Sequence, residues 1–579
     1  MTNLRRVALL ALPLSLALPA PAAAGLKVAV RGVDGVERAN VEARLSILGY
    51  AGEGGEDEAE IRRLHRRAED DIRGALQAYG YYGPQVRGRL SGSGAGWSAV
   101  YDVDPGSPTL LETVRLELTG KGQQFPALVQ AVAGSRLRSG ARLQHAAYEG
   151  TKAALARAAY DNGFLDARFT AHMLRVDPAH QRADAELVLD TGPRYYFGEI
   201  SVEQEGLDAE FLRRYVPIRE GEPFAPALLL QAQFALSDLG YFATVEVQPH
   251  RERAVERRVP ITIATTPRPP RRYDASAGYG TDTGARLGLG AEFRRLTDRG
   301  HRLRTDLRVS EIKNSIGTDY RIPLGNRAGE NFGIATAYTD EDVGDGFSRT
   351  YDLAFTLSRT PGDWQRQLYL KHRYEQSFVP DTGLDSARLV MPGLTLIRGE
   401  LDDPIHARLG WSLFADVHGA HEAYVSDVSF LQGRTLLRGA LPLGQRARLL
   451  LRAEFGASLV AEFDQLPASQ RFFAGGDQSV RGYSYQSLGP TDADGNVTGG
   501  KFLTTYSVEA EVRIAGNWGA AVFADAGGAD DDPNPSLSRG VGAGLRYRAP
   551  VGTLQLDLAH PLDGDETGVR PHLGIRVGL

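Results

Sequence analysis

The sequence predicts an array of small α+β repeats followed by a 16-stranded antiparallel transmembrane β-barrel. Three observations carry this. Matched punctuation recurs with a period of about 80 residues through the first half. Charged and apolar residues alternate with period two from residue 271 to the end. An export segment opens the chain, yet no later apolar run of about 18 residues could form a spanning helix.

Residues 1–24 read as a signal peptide. Arg5 and Arg6 form the charged region, Val7 to Leu18 the apolar core, and Ala22-Ala23-Ala24 the small-residue cleavage site, with cleavage after Ala24. Arg5-Arg6 lacks twin-arginine surroundings, which favours the general secretory route. With no cysteine in 579 residues there is no thiol to lipidate, cross-link, attack a substrate or ligate a metal. A net charge of −6 indicates no nucleic-acid partner. An exported chain without a spanning helix either stays soluble or crosses as a closed barrel.

Three repeats follow, at 25–110, 111–194 and 195–268. Each opens with a short strand: Lys27–Arg31 before Gly32, Val114–Thr119 before Gly120, and Glu199–Val202 before Gly206. Each then has helical segments ending in Gly and aromatics: Tyr79-Gly80-Tyr81-Tyr82, Asn162-Gly163-Phe164 and Leu239-Gly240-Tyr241-Phe242. Two strands and a Pro-containing exit complete each unit, giving β-α-α-β-β. Ile61, Leu64, Ala68, Ile72, Ala75 and Tyr79 recur at three and four residues, one helical stripe. The glycine after each helix suits a left-handed C-cap, a structural role, and the aromatic beyond it should pack back on the sheet.

Thr266-Pro267-Arg268-Pro269-Pro270-Arg271-Arg272 reads as a stiff basic linker. The alternation then begins. It is strict in Arg302–Val309, Ala407–Leu413, Val508–Ile514 and Thr553–Leu558. Charges on one face and apolar residues on the other describe a polar lumen and a lipid-facing exterior. Sixteen candidate strands fit between 271 and 579, the last being Leu573–Leu579. The stretch Arg471–Tyr483 interrupts them with aromatics, Gly475-Gly476 and then Arg481 between Val480 and Gly482, so it reads as a shaped loop. If Val522, Ala524 and Ala526 face lipid, then Phe523, Asp525 and Gly527 face inward. A carboxylate in a crowded lumen needs a partner, and the planar fork of Arg481 suits it.

The β-α-α-β-β pattern resembles the POTRA domain. Val480-Arg481-Gly482-Tyr483 resembles the VRGY/F signature of the outer-membrane assembly and secretion superfamily that includes BamA, TamA and the two-partner secretion transporters. Phe523-Ala524-Asp525-Ala526-Gly527 resembles its strand-thirteen motif. The resemblance implies that the loop folds into the barrel and that Arg481 docks on Asp525, with Phe523 and Gly482 as packing supports. It also implies client capture at POTRA sheet edges and a weak lateral seam between the first and last strands. Tyr273, Gly278 and Gly280 would lie on one side of that seam, and Gly574, Gly578 and Leu579 on the other. The terminal strand of such barrels usually ends in Phe or Trp, so Leu579 departs from the pattern.

Three repeats before about 310 barrel residues resemble the TamA branch, the autotransporter assembly factors. That implies an outer-membrane location, contact with outer-membrane lipid and a TamB-like, inner-membrane-anchored bridging partner. Unfolded outer-membrane and autotransporter proteins would be the clients. The rival is a dedicated two-partner secretion transporter, with two such domains and a plug helix; a soluble periplasmic binding module is a third class. No catalytic, cofactor or metal constellation is found: no G-x-S-x-G, no H-E-x-x-H among twelve His, and a misplaced Gly in Asp492-Ala493-Asp494-Gly495-Asn496 for an EF-hand loop. Asp530-Asp531-Asp532 reads as a solvated loop.

Overall fold

The computed structural model describes residues 26–52, 57–93, 96–380, 382–564 and 568–578. The predicted signal peptide and Leu579 lie outside the described residues.

The first repeat contains β1 (Lys27–Arg31), α1 (Gly35–Arg44), α2 (Ser46–Gly52), α3 (Glu58–Gln77), β2 (Gln85–Ser93) and β3 (Gly96–Asp104). The second contains β4 (Leu110–Thr119), α4 (Pro126–Ala133), α5 (His145–Asp161), β5 (Arg168–Asp177) and β6 (Arg182–Asp190). The third contains β7 (Tyr196–Glu203), α6 (Ala209–Arg213), α7 (Pro226–Asp238), β8 (Phe242–Pro249) and β9 (Arg258–Pro267). The sheets are ordered β1-β3-β2, β4-β6-β5 and β7-β9-β8. In the first two sheets the opening strand runs parallel to the central one, a pairing that requires a crossover, and the helices supply it.

The first repeat departs from the predicted pattern by one helix. Leu45, buried and extended, splits the first helical segment into α1 and α2. In α3 the predicted stripe of Ile61, Leu64, Ala68, Ile72 and Ala75 is buried, with Leu76 beside it. Tyr79 lies past the helix end and is half-buried. The helix starts where the Asp57 carboxylate accepts the Ala59 N–H at 2.9 Å.

Gly80 (φ +88°) and Gly163 (φ +84°) end their helices in left-handed turns. The N–H of Tyr81 reaches Leu76 O at 3.2 Å and that of Phe164 reaches Ala159 O at 3.0 Å. Both glycines are also joints. A Cβ at Gly80 would stand 2.5 Å from Leu143 O, and one at Gly163 2.6 Å from Phe224 O, each in the next repeat. The aromatics after them divide. Phe164 packs into its own core. Tyr82 instead hydrogen-bonds His145 of the second repeat at 2.6 Å, and Arg142 donates to Tyr81 at 3.0 Å.

The chain forms two compact units: Met1–Glu199 with Arg219–Ala227 and His250–Pro260, and Ile200–Ile218 with Leu228–Pro249 and Ile261–Leu579. The second unit contains the barrel strands β10 (Arg271–Gly280), β11 (Gly284–Phe293), β12 (Arg302–Ser310), β13 (Lys313–Pro323), β14 (Asn331–Val343) and β15 (Gly346–Arg359). Next come β16 (Gln365–Val379), β17 (Gly383–Leu401), β18 (Gly410–Ala420), β19 (Phe430–Leu443) and β20 (Ala447–Val460). The last are β21 (Phe502–Ala515), β22 (Trp518–Asp530), β23 (Ser538–Ala549), β24 (Gly552–Pro561) and β25 (Arg570–Arg576). They form one 16-stranded sheet in sequence order, antiparallel at each ladder.

Burial is inverted relative to a soluble core. On β24, Leu554, Leu556 and Leu558 are exposed while Thr553 and Asp557 are buried. On β21, Val508 and Val512 are exposed while Glu509 and Glu511 are buried. An apolar exterior around a charged interior is a membrane barrel, and it rules out a soluble sandwich for this half. Among the described residues no helix is long and apolar enough to span a membrane.

Three local expectations are corrected. Ala407–Leu409 belong to the loop before β18, held by the Asp402 carboxylate, which accepts the N–H groups of Arg408 and Leu409 at 2.8 and 3.0 Å. The linker is only Arg268-Pro269-Pro270, because β9 runs through Pro267 and β10 begins at Arg271. The last strand stops at Arg576. Gly578 turns away (φ +72°) and its N–H donates to Ile405 O at 3.0 Å.

Part of the third repeat is fastened to the turn between β11 and β12. The Tyr241 hydroxyl donates to Gly300 O at 2.5 Å, Arg302 stacks 4.3 Å over the Tyr241 ring, and Asp208 N–H donates to Asp298 O at 2.8 Å. Gly300 has φ +71°, and a Cβ there would stand 2.6 Å from Tyr241 Oη and 2.7 Å from Phe211 Cζ. Gly300→Val therefore loosens this joint by about 1–3 kcal/mol. The expected result is faster proteolysis between the third repeat and the barrel, with the barrel's shift in gel mobility on heating unchanged.

Candidate functional site

The long connection between β20 and β21 folds into the barrel. Arg471 ties its two ends together by donating to three backbone carbonyls, those of Leu466 and Asp464 in its first part and of Thr498 in its last. Val480, Arg481 and Tyr483 are all buried. Arg481 lies against Asp525 of β22: its Nε donates to Oδ2 at 2.7 Å, its Nη2 to Oδ1 at 3.0 Å, and its backbone N–H to Oδ2 at 3.1 Å. This is a two-pronged guanidinium–carboxylate pair with a third bond from the main chain. Alternation on β22 aims Phe523, Asp525 and Gly527 inward, all three buried, while Val522 and Ala524 are exposed. The Phe523 ring lies 3.3 Å beneath the Arg481 guanidinium.

The same guanidinium reaches two further strands. Its Nη1 donates to Glu509 of β21 at 2.8 Å and to Asp557 of β24 at 3.0 Å, and its Nη2 to Ser507 at 3.3 Å. Arg546 of β23 joins Glu509 at 3.0 Å, Glu511 at 3.4 Å and also Asp557. Arg576 of β25 joins Glu509 and Glu511, and Arg448 of β20 joins Glu511 at 2.7 Å. Burial alone would lower the Arg481 pKa, but the hydrogen bond and charge of Asp525, with Glu509 and Asp557 behind it, outweigh that and raise it. The charge on Arg481 is therefore fixed, and each buried carboxylate of this lattice has a cationic neighbour.

Gly482 fits because it lacks a side chain. Its φ is +103°, and a Cβ would stand 3.0 Å from Pro561 N and 3.2 Å from His560 C. Next to it, the Tyr483 hydroxyl bridges Arg539 O at 3.0 Å and Asp563 O at 2.8 Å.

Among the described residues no β-ladder joins β10 to β25, although every other pair of neighbouring barrel strands is laddered. Of the residues assigned to the β10 side of a seam, Gly280 lies near the last strand: a Cβ there would stand 3.7 Å from Leu573 O. Gly278 packs its backbone beside the Arg286 side chain, Tyr273 is exposed on the outer face, and Gly574 lies within β25. Gly578, as described, bonds the β17–β18 loop.

Asp282, Asp477 and His572 bring potential ligand atoms within 4.8 Å of one another. The donor set argues against a metal. His572 Nε2 accepts the Gly482 N–H at 3.0 Å, so Nδ1 carries the proton and donates it to Asp477. Burial first, and the Asp477 charge second, push Asp282 up to about 6. Elsewhere in the loop, Asp492 accepts the N–H groups of Asp494 and Asn496, each at 2.9 Å, a turn-forming role. Asp530 accepts the Asp531 N–H at 2.7 Å in the same way.

Sequence reasoning missed Glu509, Asp557, Asp477 and His572. For the first two a signal existed, since both are inward acids on alternating strands. For Asp477 and His572 no local pattern exists.

A family profile described as "Omp85 superfamily domain" matches residues 271–579, more than half of the chain. One described as "POTRA domain TamA domain 1" matches 27–105, and one described as "Surface antigen variable number repeat" matches 195–268. The outer membrane protein assembly factor BamA of Nitratidesulfovibrio vulgaris is 23% identical over 415 residues, covering 66% of this chain and 51% of its own. BamA of Neorickettsia risticii is 24% identical over 393 residues, covering 61% and 50%. The chain thus spans about half the length of the curated relatives it matches. The crystal structure of BamA from Haemophilus ducreyi lacking POTRA domains 1–3 superposes with a TM-score of 0.66 at 17% identity, covering 80% of this chain and 98% of that one, a likeness of fold. A barrel with an inward-folded loop, the matched profile over its whole length and the repeats before it lead to one assignment: the chain belongs to the Omp85 superfamily, an outer-membrane β-barrel with POTRA domains in the periplasm.

Proposed function

We propose that this chain is an outer-membrane protein assembly factor of the TamA kind, receiving unfolded autotransporter-type and other β-barrel clients in the periplasm and helping them into the membrane. The unladdered junction of β10 and β25 carries the reading. Among the described residues, a barrel laddered at each other junction has one place where a client strand could pair with exposed main-chain groups, whatever the client's sequence. Three POTRA units, the first matching a TamA-type profile, support the TamA branch and with it a TamB-like partner anchored in the inner membrane. The test is capture from membranes together with reconstitution. An inner-membrane-anchored partner should co-purify, and proteoliposomes containing the protein should speed insertion of an autotransporter client. A large, stable channel in planar bilayers without client insertion would instead favour a dedicated secretion transporter.

Clients and partner would add to a POTRA sheet edge. In the second repeat β5 is such an edge. Proline at residues of β5 whose N–H points away from β6 removes a donor without touching the sheet's own ladder. Each lost main-chain hydrogen bond weakens capture by several-fold, about 1 kcal/mol. Normal capture by folded proline variants would move the docking surface elsewhere.

A further inference from the structure

We propose that Asp477 is the bolt of a side-chain clasp that closes the extracellular end of the β10–β25 junction. Where neighbouring strands would exchange backbone hydrogen bonds, side chains do the joining. From the β10–β11 turn, the Thr281 hydroxyl accepts the Leu573 N–H of β25 at 3.2 Å and donates to the Asp477 carboxylate at 3.2 and 3.3 Å. The Asp477 N–H donates to the Asp282 carboxylate at 2.5 Å. From the other side, His572 of β25 donates its Nδ1 proton to Asp477. Asp477 therefore holds both margins of the junction at once, from a third element that belongs to neither.

The bolt is itself held. Four residues on, Arg481 is locked to β21, β22 and β24, and the intervening backbone is gripped by Arg452 of β20, which donates to the carbonyls of Gln478 and Ser479. Gly482 N–H on His572 Nε2 ties the far end of the same short segment to the last strand. Segment 477–482 thus runs from the fixed wall across to the junction. Gly476 must be small for this: a Cβ there would stand 2.5 Å from an Asp282 carboxylate oxygen. A junction closed by a few side chains can be released by withdrawing one of them, without unzipping a ladder.

The clasp is tested without any client, so its outcome is independent of the assembly function. The chain has no cysteine, so Gly280→Cys with Leu573→Cys reports closure as the rate of disulfide formation under mild oxidant in the full-length protein in liposomes. Asp477→Ala should slow that rate by about tenfold, as for the loss of one or two charge-assisted hydrogen bonds. Asp477→Asn keeps acceptors for Thr281 and His572 and should recover most of the rate. If Asp477→Ala fails to give the heat-modifiable barrel, Thr281→Val removes the hydroxyl shared by Asp477 and Leu573 at nearly constant volume and should slow the reaction in the same direction. An unchanged rate in a folded Asp477→Ala or Thr281→Val barrel overturns the clasp. A chelator that slows the unmodified protein as much as Asp477→Ala also overturns it, because the carboxylates would then be holding a divalent cation rather than the strand margins.

Discussion

Arg481→Ala leaves the barrel inserted and heat-modifiable but frees the loop, which becomes cut by protease within 471–483, while client assembly falls. Asp525, Glu509 and Asp557 all lose the same cation, and removing one member of a buried ion cluster costs about 3–5 kcal/mol. Arg481→Lys rescues part of the effect, because an ammonium cannot make the two-pronged contact to Asp525 and also reach Glu509. Asp525→Asn is milder than Arg481→Ala, since two carboxylates still face the guanidinium. The double-mutant cycle between them should show coupling above about 1 kcal/mol in loop protection. Strict additivity in folded barrels would mean that the loop is anchored elsewhere, for example through Arg471 and Tyr483.

A complete disulfide between Gly280→Cys and Leu573→Cys should abolish client assembly, and reductant should restore it. The effect is large because no other junction of the sheet lacks a ladder among the described residues. The measurement is insertion of a client into liposomes before and after reduction, scored against the cross-linked fraction on gels. Full activity in fully cross-linked protein would leave the POTRA array as a scaffold and remove strand opening from the mechanism.

Period-two alternation identified which face of β22 carries Asp525 and which face of β24 carries Asp557. It could not say that the two reach one guanidinium. That depends on how far successive strands are staggered, which the ladders set and a single strand's pattern does not record. Arg481 and Asp525 could be matched because the cation between Val480 and Gly482 and one inward acid on β22 stood out. Glu509 and Asp557 could not, because inward charges are common on every strand of a polar lumen. The end of β25 was misread for a related reason. Alternation continues to residue 579, but among the described residues β25 has a laddered neighbour only in β24, and after Arg576 the chain leaves the sheet for the β17–β18 loop. The extra break at Leu45 escaped notice because a buried leucine looks the same within a helix and between two.

The arginine lattice has a mechanical consequence. It rivets β21 through β25 into a stiff panel, each strand cross-braced to others by buried charge. The hairpin on the opposite margin is braced more lightly: Arg304 of β12 approaches Asp274 of β10 at 3.7 Å, and both side chains are partly exposed. Its facing pairs include Ser276 with Gly288, Asp274 with Gly290 and Gly280 with Gly284, positions where little or no side chain links the strands. Compliance is therefore greater in β10 and β11 than in the panel β21 to β25. The turn that leaves β11 is the one bolted to Tyr241 of the third repeat through Gly300. A load applied to that part of the periplasmic arm is delivered to the soft panel and not to the stiff one.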